Sequence, residues 1–198
     1  MNLEDIEREI RSCKRCDLWK FKTNYVPGEG NPNARIVFVG EAPGKEEDIQ
    51  GRPFVGRAGR YLTEVLSRFG LDRRDVYITN VLKCRPPNNR DPTPEEIKAC
   101  KPYLMKQLEI IKPDVIVCLG RFSSSTILSE FGIDFKGISR DRGKVFEVEK
   151  WGKRIHLIPT YHPAAVLRNR SLSDYFERDV KTALDILKRR RKTLLDFI

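Results

Sequence analysis

The sequence lacks the long apolar segments on which membrane-spanning and exported proteins depend. No stretch approaches the roughly 18 consecutive apolar residues that a membrane helix needs. Residues 1–11 alternate acidic and basic side chains and contain no apolar region of an export signal. We therefore expect a cytoplasmic, nucleoid-associated protein with no membrane partner. Cysteines in that compartment are usually reduced, which makes disulfides the weaker explanation for the five cysteines of the chain.

Internal repeats and low-complexity linkers are also absent, and glycine and proline are close to their average abundance. These absences argue against a disordered or multidomain chain. A length of 198 residues suits one domain with a substantial core. We expect a single domain over residues 1–192 followed by a tail over 193–198, and a monomer.

Positive charge is in excess, with 38 Lys and Arg against 28 Asp and Glu, a net charge of +10. A folded basic domain of this size favours a polyanionic partner, most often a nucleic acid. The alternative is that these charges only solvate the surface. A charged fraction of 33% is also typical of a thermophile protein rich in surface ion pairs.

Short apolar runs alternate with segments of helical periodicity along the chain. The runs predict buried strands at residues 35–40, 76–82, 114–120 and 155–159, with a weaker candidate at 144–148. Helices are predicted over residues 2–11, 57–69, 122–131 and 172–191, and a further long helix is predicted to be capped by Thr93. This alternation predicts an α/β sandwich with a mostly parallel sheet. Ligands of such sheets bind beyond the carboxyl ends of the strands, where residues 41–44, Asn80 and His162 are expected.

Four of the cysteines are candidate metal ligands, namely Cys13, Cys16, Cys84 and Cys100. The fifth, Cys118, lies in an apolar run, which is typical of a core residue. Four thiolates can hold a [4Fe–4S] cluster or a Zn²⁺ ion, and the spacing alone does not choose between them. Four unrelated thiols are the remaining interpretation. A redox pair is disfavoured because the C-x-x-C motif precedes every predicted strand. A bound cluster would fix the polar loop that carries Arg85 and Arg90.

Several motifs match one family in order along nearly the whole chain. They are GEAPG at residues 40–44, GRPFVG at 51–56, TNVLKCRP at 79–86 and HP at 162–163, together with the four cysteines. With these motifs the chain resembles the family 4 uracil-DNA glycosylases, the iron–sulfur branch of that superfamily. The resemblance implies a three-layer α/β/α sandwich with a central four-stranded, mostly parallel sheet, and a structural [4Fe–4S] cluster on the four cysteines. It also implies a monofunctional enzyme that removes uracil from single- or double-stranded DNA and starts base excision repair.

Uracil inside a duplex must be flipped into a pocket before its glycosidic bond can break. Phe54 is the candidate that stacks on the base, although a core role under its loop is the alternative. Asn80 can donate to O4 and accept from N3–H, which separates uracil from cytosine; the alternative is a turn residue. His162 could bond O2 as negative charge develops there. We interpret His156, which lies inside a strand, as structural.

The resemblance implies that the first loop positions the attacking water and the base, largely through backbone groups, with Gly40, Ala42 and Gly44 as candidates for binding the base. Glu41 is a catalytic candidate because a carboxylate stabilises the cationic sugar. The aspartate that activates water in some related families is missing, which weakens general-base catalysis. Glu47 could exclude the 5-methyl group of thymine, or could be a solvated charge at a helix start.

The segment after His162 resembles the loop that enters the minor groove of DNA. Val166 or Leu167 would fill the gap left by the flipped nucleotide. Phosphate contacts are expected from cations on three loops, namely Arg85, Arg142, Arg168 and Arg170.

The C-terminal tail partly matches a sliding-clamp-binding box. Arg191 stands at the glutamine position, Leu194 at the aliphatic position, and Phe197 and Ile198 at the two terminal hydrophobic positions. A sliding clamp is therefore a possible partner, and a helix end packed on the domain is the alternative.

Three other functions compete with the glycosylase hypothesis. A related branch traps uracil-containing DNA covalently through a histidine in the loop after the asparagine strand; that loop, residues 85–90, has no histidine here. An iron–sulfur or zinc protein that only binds nucleic acid leaves the strand-end loops unexplained. A redox protein explains neither these loops nor the charge.

Overall fold

Six strands form one sheet in the order β1-β3-β2-β4-β6-β5 in a computed structural model. The structure describes residues 1–195, and side chains as far as residue 189. The strands are β1 (Glu29–Gly30), β2 (Ile36–Gly40), β3 (Tyr77–Asn80), β4 (Val115–Leu119), β5 (Phe146–Lys150) and β6 (Lys153–Thr160). The helices are α1 (Leu3–Arg11), α2 (Lys45–Gln50), α3 (Arg57–Arg68), α4 (Pro94–Ile111), α5 (Arg121–Glu130), α6 (Ile138–Asp141), α7 (Pro163–Arg168) and α8 (Ser173–Leu195).

The α/β sandwich with a mostly parallel sheet is confirmed, but a sheet of only four strands is wrong. The four predicted strands form the parallel centre, β3-β2-β4-β6, and two antiparallel strands extend its edges. β1 has only two residues, too few to leave a periodic pattern. β5 corresponds to the weaker strand candidate at residues 144–148. Its apolar pattern is weak because most of its side chains are exposed at the sheet edge.

Alternating side chains of the parallel strands enter two separate cores. On β2, Val37 and Val39 face the core that also contains residues of α1, α4 and α5. Ile36 and Phe38 face the opposite core, which is built with α3, α7 and α8. The period of two in a strand sends neighbours to opposite faces, so this sheet buries both faces and its strands read as continuous apolar runs. The result is the expected three-layer arrangement.

The register of the sheet brings the strand-end loops together. Gly40 on β2 lies beside Asn80 on β3, and Leu119 on β4 lies beside Thr160 on β6. The loops that follow these residues therefore leave the same edge of the sheet. His156 pairs with Val115 at the other end of β6, which places it away from that edge.

The start of α4 follows the prediction from sequence. The Thr93 hydroxyl accepts from the Glu96 N–H at 3.2 Å, and the Glu96 carboxylate accepts from the Thr93 N–H at 2.9 Å. Pro94 occupies the first helical position, where its missing N–H costs nothing. The short helices α2, α6 and α7 were not predicted.

No helix in the described part of the chain has both the length and the apolar character that a membrane crossing requires. The side chains assigned to clamp binding in the tail, residues 193–198, lie outside the described part of the structure.

Candidate active site

A cavity of about 530 Å³ opens where the parallel strands end. It lies at the edge of the sheet that α/β proteins generally use to bind ligands. Its walls come from the loops after β2, β3, β4 and β6. Eight of the residues predicted for the site line it, namely Glu41, Ala42, Gly44, Glu47, Phe54, Asn80, His162 and Arg168.

Gly40 is not itself part of the cavity wall, but it sets how closely two wall residues approach the strand end. A Cβ atom on Gly40 would lie within 2.5 Å of Phe54 Cζ and closer still to Asn80 Oδ1. Neither neighbour is free to retreat, because both side chains are buried at this point. The absent side chain at position 40 therefore lets the Phe54 ring and the Asn80 amide meet at the base of the cavity.

Asn80 holds a buried polar atom that is unsatisfied. Its side chain is 1% exposed, and its Oδ1 atom has no hydrogen-bond partner among the described residues. A buried acceptor without a partner costs roughly 1–3 kcal/mol, so native proteins rarely keep one without a reason. Because the residue also lines the cavity, the missing partner is best supplied by a ligand that carries a donor.

His162 is held in one tautomer by the backbone. Its Nδ1 atom accepts a hydrogen bond from the Ala164 N–H at 3.1 Å, so the proton of the neutral ring is on Nε2. Burial and the nearby Arg168 cation lower the pKa of His162 to about 4. The imidazole is therefore neutral at pH 7, and its Nε2–H is a hydrogen-bond donor. The ring centroid lies 5.7 Å from that of Phe54.

Glu41 is an ionisable group of the cavity with a strongly raised pKa. Burial and the Asp91 carboxylate raise the pKa of Glu41 to about 7, against the opposing effect of Arg121. Asp91 and Arg121 form an ion pair, and both line the same cavity. A carboxyl group with such a pKa exchanges a proton near physiological pH, as a catalytic acid or base does.

Glu47 is partly exposed in the first turn of α2 and is hydrogen-bonded to the backbone. One carboxylate oxygen, Oε1, accepts from the Val55 N–H at 2.9 Å and from the Gly56 N–H at 2.8 Å. Gly56 is the N-cap of α3 and has no side chain to satisfy this helix end, so the carboxylate serves as the cap. The contact also fixes the loop that carries Phe54. Thymine exclusion by Glu47 stays a prediction.

Arg73 is a contributor to the site that the sequence did not reveal. Its guanidinium donates to the carbonyl oxygens of Pro53 and Phe54, both at 2.7 Å, and to Glu29 at 2.5 Å. Phe54 has a φ of +50°, a conformation that costs free energy for a residue with a side chain. Arg73 helps to hold that strained conformation. In the sequence Arg73 lies in a charged turn after Asp72, and nothing in this turn indicates a contact with Phe54.

Comparison with known proteins shows the family to which the chain belongs. The sequence model of the Uracil DNA glycosylase superfamily matches residues 27–188. The chain is 58% identical over 197 residues to the type-4 uracil-DNA glycosylase of Archaeoglobus fulgidus, across 100% of this chain and 99% of the relative. It is 50% identical to the type-4 uracil-DNA glycosylase of Thermotoga maritima, across 94% of this chain and 95% of the relative. Identity to the type-5 uracil-DNA glycosylase of Thermus thermophilus is 35%, across 69% of this chain and 68% of the relative.

The chain belongs to the type-4 uracil-DNA glycosylases. The resemblance inferred from the motifs is therefore confirmed.

The four cysteines of this type-4 glycosylase line a second, smaller cavity between α1, the end of β3 and α4. None of the four forms a disulfide in the described part of the chain, and Cys84 and Cys100 are buried. Burial raises the pKa of both buried thiols, and the other cysteines raise it further. Thiolates at these four positions would need positive charge beside them, which a metal centre would supply.

The four thiols line one cavity but are not grouped as the ligands of a single ion. A tetrahedral Zn²⁺ with Zn–S bonds of ~2.3 Å would bring the sulfur atoms to about 3.8 Å from one another. Within the described residues, no three Cys, His, Asp or Glu side chains are grouped closely enough to hold a single ion. The four thiols share this cavity, and membership of the type-4 glycosylases is consistent with an iron–sulfur cluster.

The residues predicted to contact DNA differ in how available they are. Arg168 is exposed and lines the active-site cavity. Leu167 is partly exposed, whereas Val166 is fully buried in the core beneath α7, so only Leu167 can reach a duplex without repacking. Arg85 is partly exposed and donates to Asn89 Oδ1 at 2.7 Å.

Arg142 already has a protein partner. Its guanidinium donates to both carboxylate oxygens of Asp179, at 3.0 and 2.6 Å, and Asp179 also accepts from the Thr160 hydroxyl at 2.7 Å. Asp179 is 1% exposed, so it depends on Arg142 to compensate its charge. The structure gives Arg142 a structural role, and its contact with phosphate stays a prediction.

Proposed function

We propose that this protein hydrolyses the N-glycosidic bond of deoxyuridine in DNA, releases free uracil and leaves an abasic site. It is a monofunctional glycosylase, so the DNA strand stays intact until the abasic site is processed. The observation that carries this function is the unsatisfied Asn80 Oδ1 atom inside the cavity. N3–H of uracil is a donor for this acceptor, whereas N3 of cytosine has no hydrogen to donate.

Recognition of the flipped base follows from three side chains. The Phe54 ring offers a stacking face beside the Asn80 amide. Asn80 accepts from N3–H through Oδ1 and donates to O4 through its NH₂ group. Gly40 keeps these two groups together, and backbone groups of Ala42 and Gly44 complete the wall on that side.

Bond cleavage moves negative charge onto the leaving uracil and positive charge onto the sugar. The Nε2–H of neutral His162 donates to the uracil O2 atom as its negative charge grows. A neutral donor is suited to this task because it stabilises the anion without protonating it. The low pKa of His162, about 4, keeps the donor neutral under all ordinary conditions.

Glu41 acts on the positive charge that develops on the sugar. As a carboxylate it stabilises the cationic sugar and orients the water that attacks it. Its raised pKa makes it a proton acceptor at neutral pH, which offsets the missing aspartate of related families. Asp91 and Arg121 tune this pKa from the mouth of the cavity.

DNA is held by the rim of the cavity. Arg168 meets a phosphate beside the flipped nucleotide, and Leu167 fills the gap that this nucleotide leaves in the duplex. Arg85 contacts the backbone from the neighbouring loop. The net charge of +10 supplies a less specific attraction that weakens with salt.

Cys13, Cys16, Cys84 and Cys100 would hold a [4Fe–4S] cluster. Bound there, the cluster supplies a cross-link between the segment after α1 and the segment from Cys84 to Cys100, which contains the loop with Arg85. Its role is structural.

A strand-cleavage assay tests the proposed activity. A labelled oligonucleotide with one uracil is incubated with wild-type protein, and with Asn80→Ala and Asn33→Ala variants; Asn33 is an exposed asparagine outside the cavity. We expect a break at uracil only after hot alkali, with wild-type protein and the Asn33 variant but not with the Asn80 variant. Breakage without alkali would contradict a monofunctional enzyme, and no break with cluster-loaded protein would reject glycosylase activity.

The tail supports a second, separate proposal that a sliding clamp recruits the enzyme, which otherwise acts as a monomer in the cytoplasm. Its support is the partial motif formed by Leu194, Phe197 and Ile198. Deletion of residues 193–198 should abolish binding to an immobilised clamp and leave activity on short oligonucleotides unchanged. Clamp binding that survives the deletion would reject the proposal.

A further inference from the structure

Lys83 is a fully buried lysine located between the cysteine cavity and the active site. It is 1% exposed. Its Nζ atom donates to the Thr79 hydroxyl oxygen at 2.6 Å, the Asn80 backbone carbonyl at 2.7 Å and Gln107 Oε1 at 2.8 Å. Lysine is almost never buried without a partner of opposite charge, so this position requires an explanation.

Burial lowers the pKa of Lys83 to about 7, but the hydrogen bonds of its Nζ atom favour the ammonium form. The Thr79 hydroxyl donates its own hydrogen to the Pro27 carbonyl at 2.7 Å, so its oxygen faces Lys83 as an acceptor. Gln107 directs its NH₂ group to the Pro27 carbonyl at 2.9 Å and to the Tyr77 hydroxyl at 3.1 Å, which leaves Oε1 for Lys83. Three acceptors need three N–H donors, and only the charged form of lysine has three.

No carboxylate in the described part of the chain lies within ion-pair distance of this ammonium. The cysteines are a neighbouring source of negative charge. Lys83 immediately precedes Cys84, its backbone N–H donates to Cys100 Sγ at 3.3 Å, and it is among the residues that line the cysteine cavity. An iron–sulfur cluster held by four thiolates carries net negative charge, because the thiolates outweigh the core.

We propose that Lys83 is a positioning residue that links the cluster to uracil recognition. Its ammonium balances the charge of the cysteine-bound cluster, and its hydrogen bond to the Asn80 carbonyl fixes the strand end from which the Asn80 amide reads the base. The inference rests on the proposed glycosylase function and on the proposed cluster. Under this proposal the Lys83 side chain connects the cysteine cavity to the active-site cavity.

Lys83→Met tests both parts, because methionine nearly fills the same space without charge or donors. Lys106→Met is the matched control: it removes one positive charge from the surface of α4, where Lys106 pairs with Glu9 at 2.7 Å. We expect Lys83→Met to lower kcat about 10- to 100-fold, the scale of a displacement near 1 Å in a catalytic group. KM should change little, since the phosphate contacts are intact. The control should match wild-type protein.

Two measurements besides activity report on the charge. The midpoint potential of the cluster should move to more negative values in Lys83→Met, because the reduced cluster gains a negative charge and the Lys83 ammonium no longer helps to balance it. Iron should also leave this variant faster in the presence of a chelator. A folded Lys83→Met protein with wild-type potential, iron retention and kcat would overturn the proposal.

If Lys83→Met fails to fold, Thr79→Val gives a second test. Valine has nearly the shape of threonine, and the change leaves the Lys83 ammonium with two acceptors. We therefore expect kcat to fall and the midpoint potential to stay near that of wild-type protein. An unchanged kcat would overturn the positioning role of Lys83. An inactive wild-type enzyme would refute the proposed function instead, and the potential and iron retention of Lys83→Met would still decide the charge-balancing role.

Discussion

Replacement of Asn80 by alanine removes the amide that is proposed to read uracil. In wild-type protein the buried Oδ1 atom has no hydrogen-bond partner among the residues that the structure describes, so removing this oxygen breaks no hydrogen bond seen in the free protein. The free energy of unfolding should therefore fall little in this variant. The effect should appear instead when the base enters the cavity.

In the variant, both N3–H and O4 of the bound uracil lose their partners. Each buried polar group left unpaired costs roughly 1–3 kcal/mol, which gives about 2–6 kcal/mol for the pair. A tenfold change in rate corresponds to about 1.4 kcal/mol. Single-turnover kcat/KM on uracil-containing DNA should therefore fall roughly 30- to 10⁴-fold.

Rapid-quench kinetics with Asn80→Ala, and with Asn33→Ala as the matched control, measure this loss. Asn80→Asp adds a test of selectivity: a carboxylate cannot donate to O4 but accepts from the amino group of cytosine, so the preference for uracil over cytosine should shrink. A folded Asn80→Ala protein with kcat/KM close to wild type would refute the reasoning, since the buried oxygen would then have no role in recognition.

Three further predictions concern pH, the cysteines and Arg142. Because ionisation of Glu41 creates the active carboxylate, kcat should rise as pH increases through about 7, and Glu41→Gln should remove this dependence; an unchanged profile in the variant would exclude Glu41 as its source. Cys84→Ser should lose iron and bind DNA more weakly in an anisotropy titration. The control Cys118→Ala, at a cysteine outside the cavity, should retain its iron and its affinity for DNA. Intact DNA binding by the iron-free Cys84→Ser protein would reject a shaping role of the cluster. Arg142→Met should lower the free energy of unfolding in urea by roughly 3–5 kcal/mol, because Asp179 loses its buried ion-pair partner. If Arg142→Met instead kept the wild-type free energy of unfolding and its DNA binding depended less on salt, Arg142 would contact a phosphate.

The features that were predictable from sequence are those encoded by neighbours along the chain. The four central strands are continuous apolar runs, and the Thr93 cap is completed by Glu96, three residues away. Asn80 and His162 could be assigned to one edge because parallel strands align their carboxyl ends. The motifs then identified which of these side chains meet.

The remaining features depend on contacts between distant residues. Arg73 reaches the carbonyl of Phe54 across 19 positions, and Arg142 reaches Asp179 across 37, so each reads locally as a surface charge. The burial of Val166 depends on how α7 packs on the core, which a six-residue helix does not reveal through periodicity. Two-residue β1 is specified by its pairing with β3 and has too few residues to show a pattern.

Recognition of uracil by Asn80 is tested most directly by a crystal structure with duplex DNA that contains 2′-fluoro-2′-deoxyuridine, whose glycosidic bond resists cleavage. The account predicts a flipped uracil in the cavity, with N3 about 2.7–3.2 Å from Asn80 Oδ1 and O2 at the same distance from His162 Nε2. The ring should stack on Phe54. A base bound outside this cavity, or a uracil whose N3 does not meet Asn80, would contradict it.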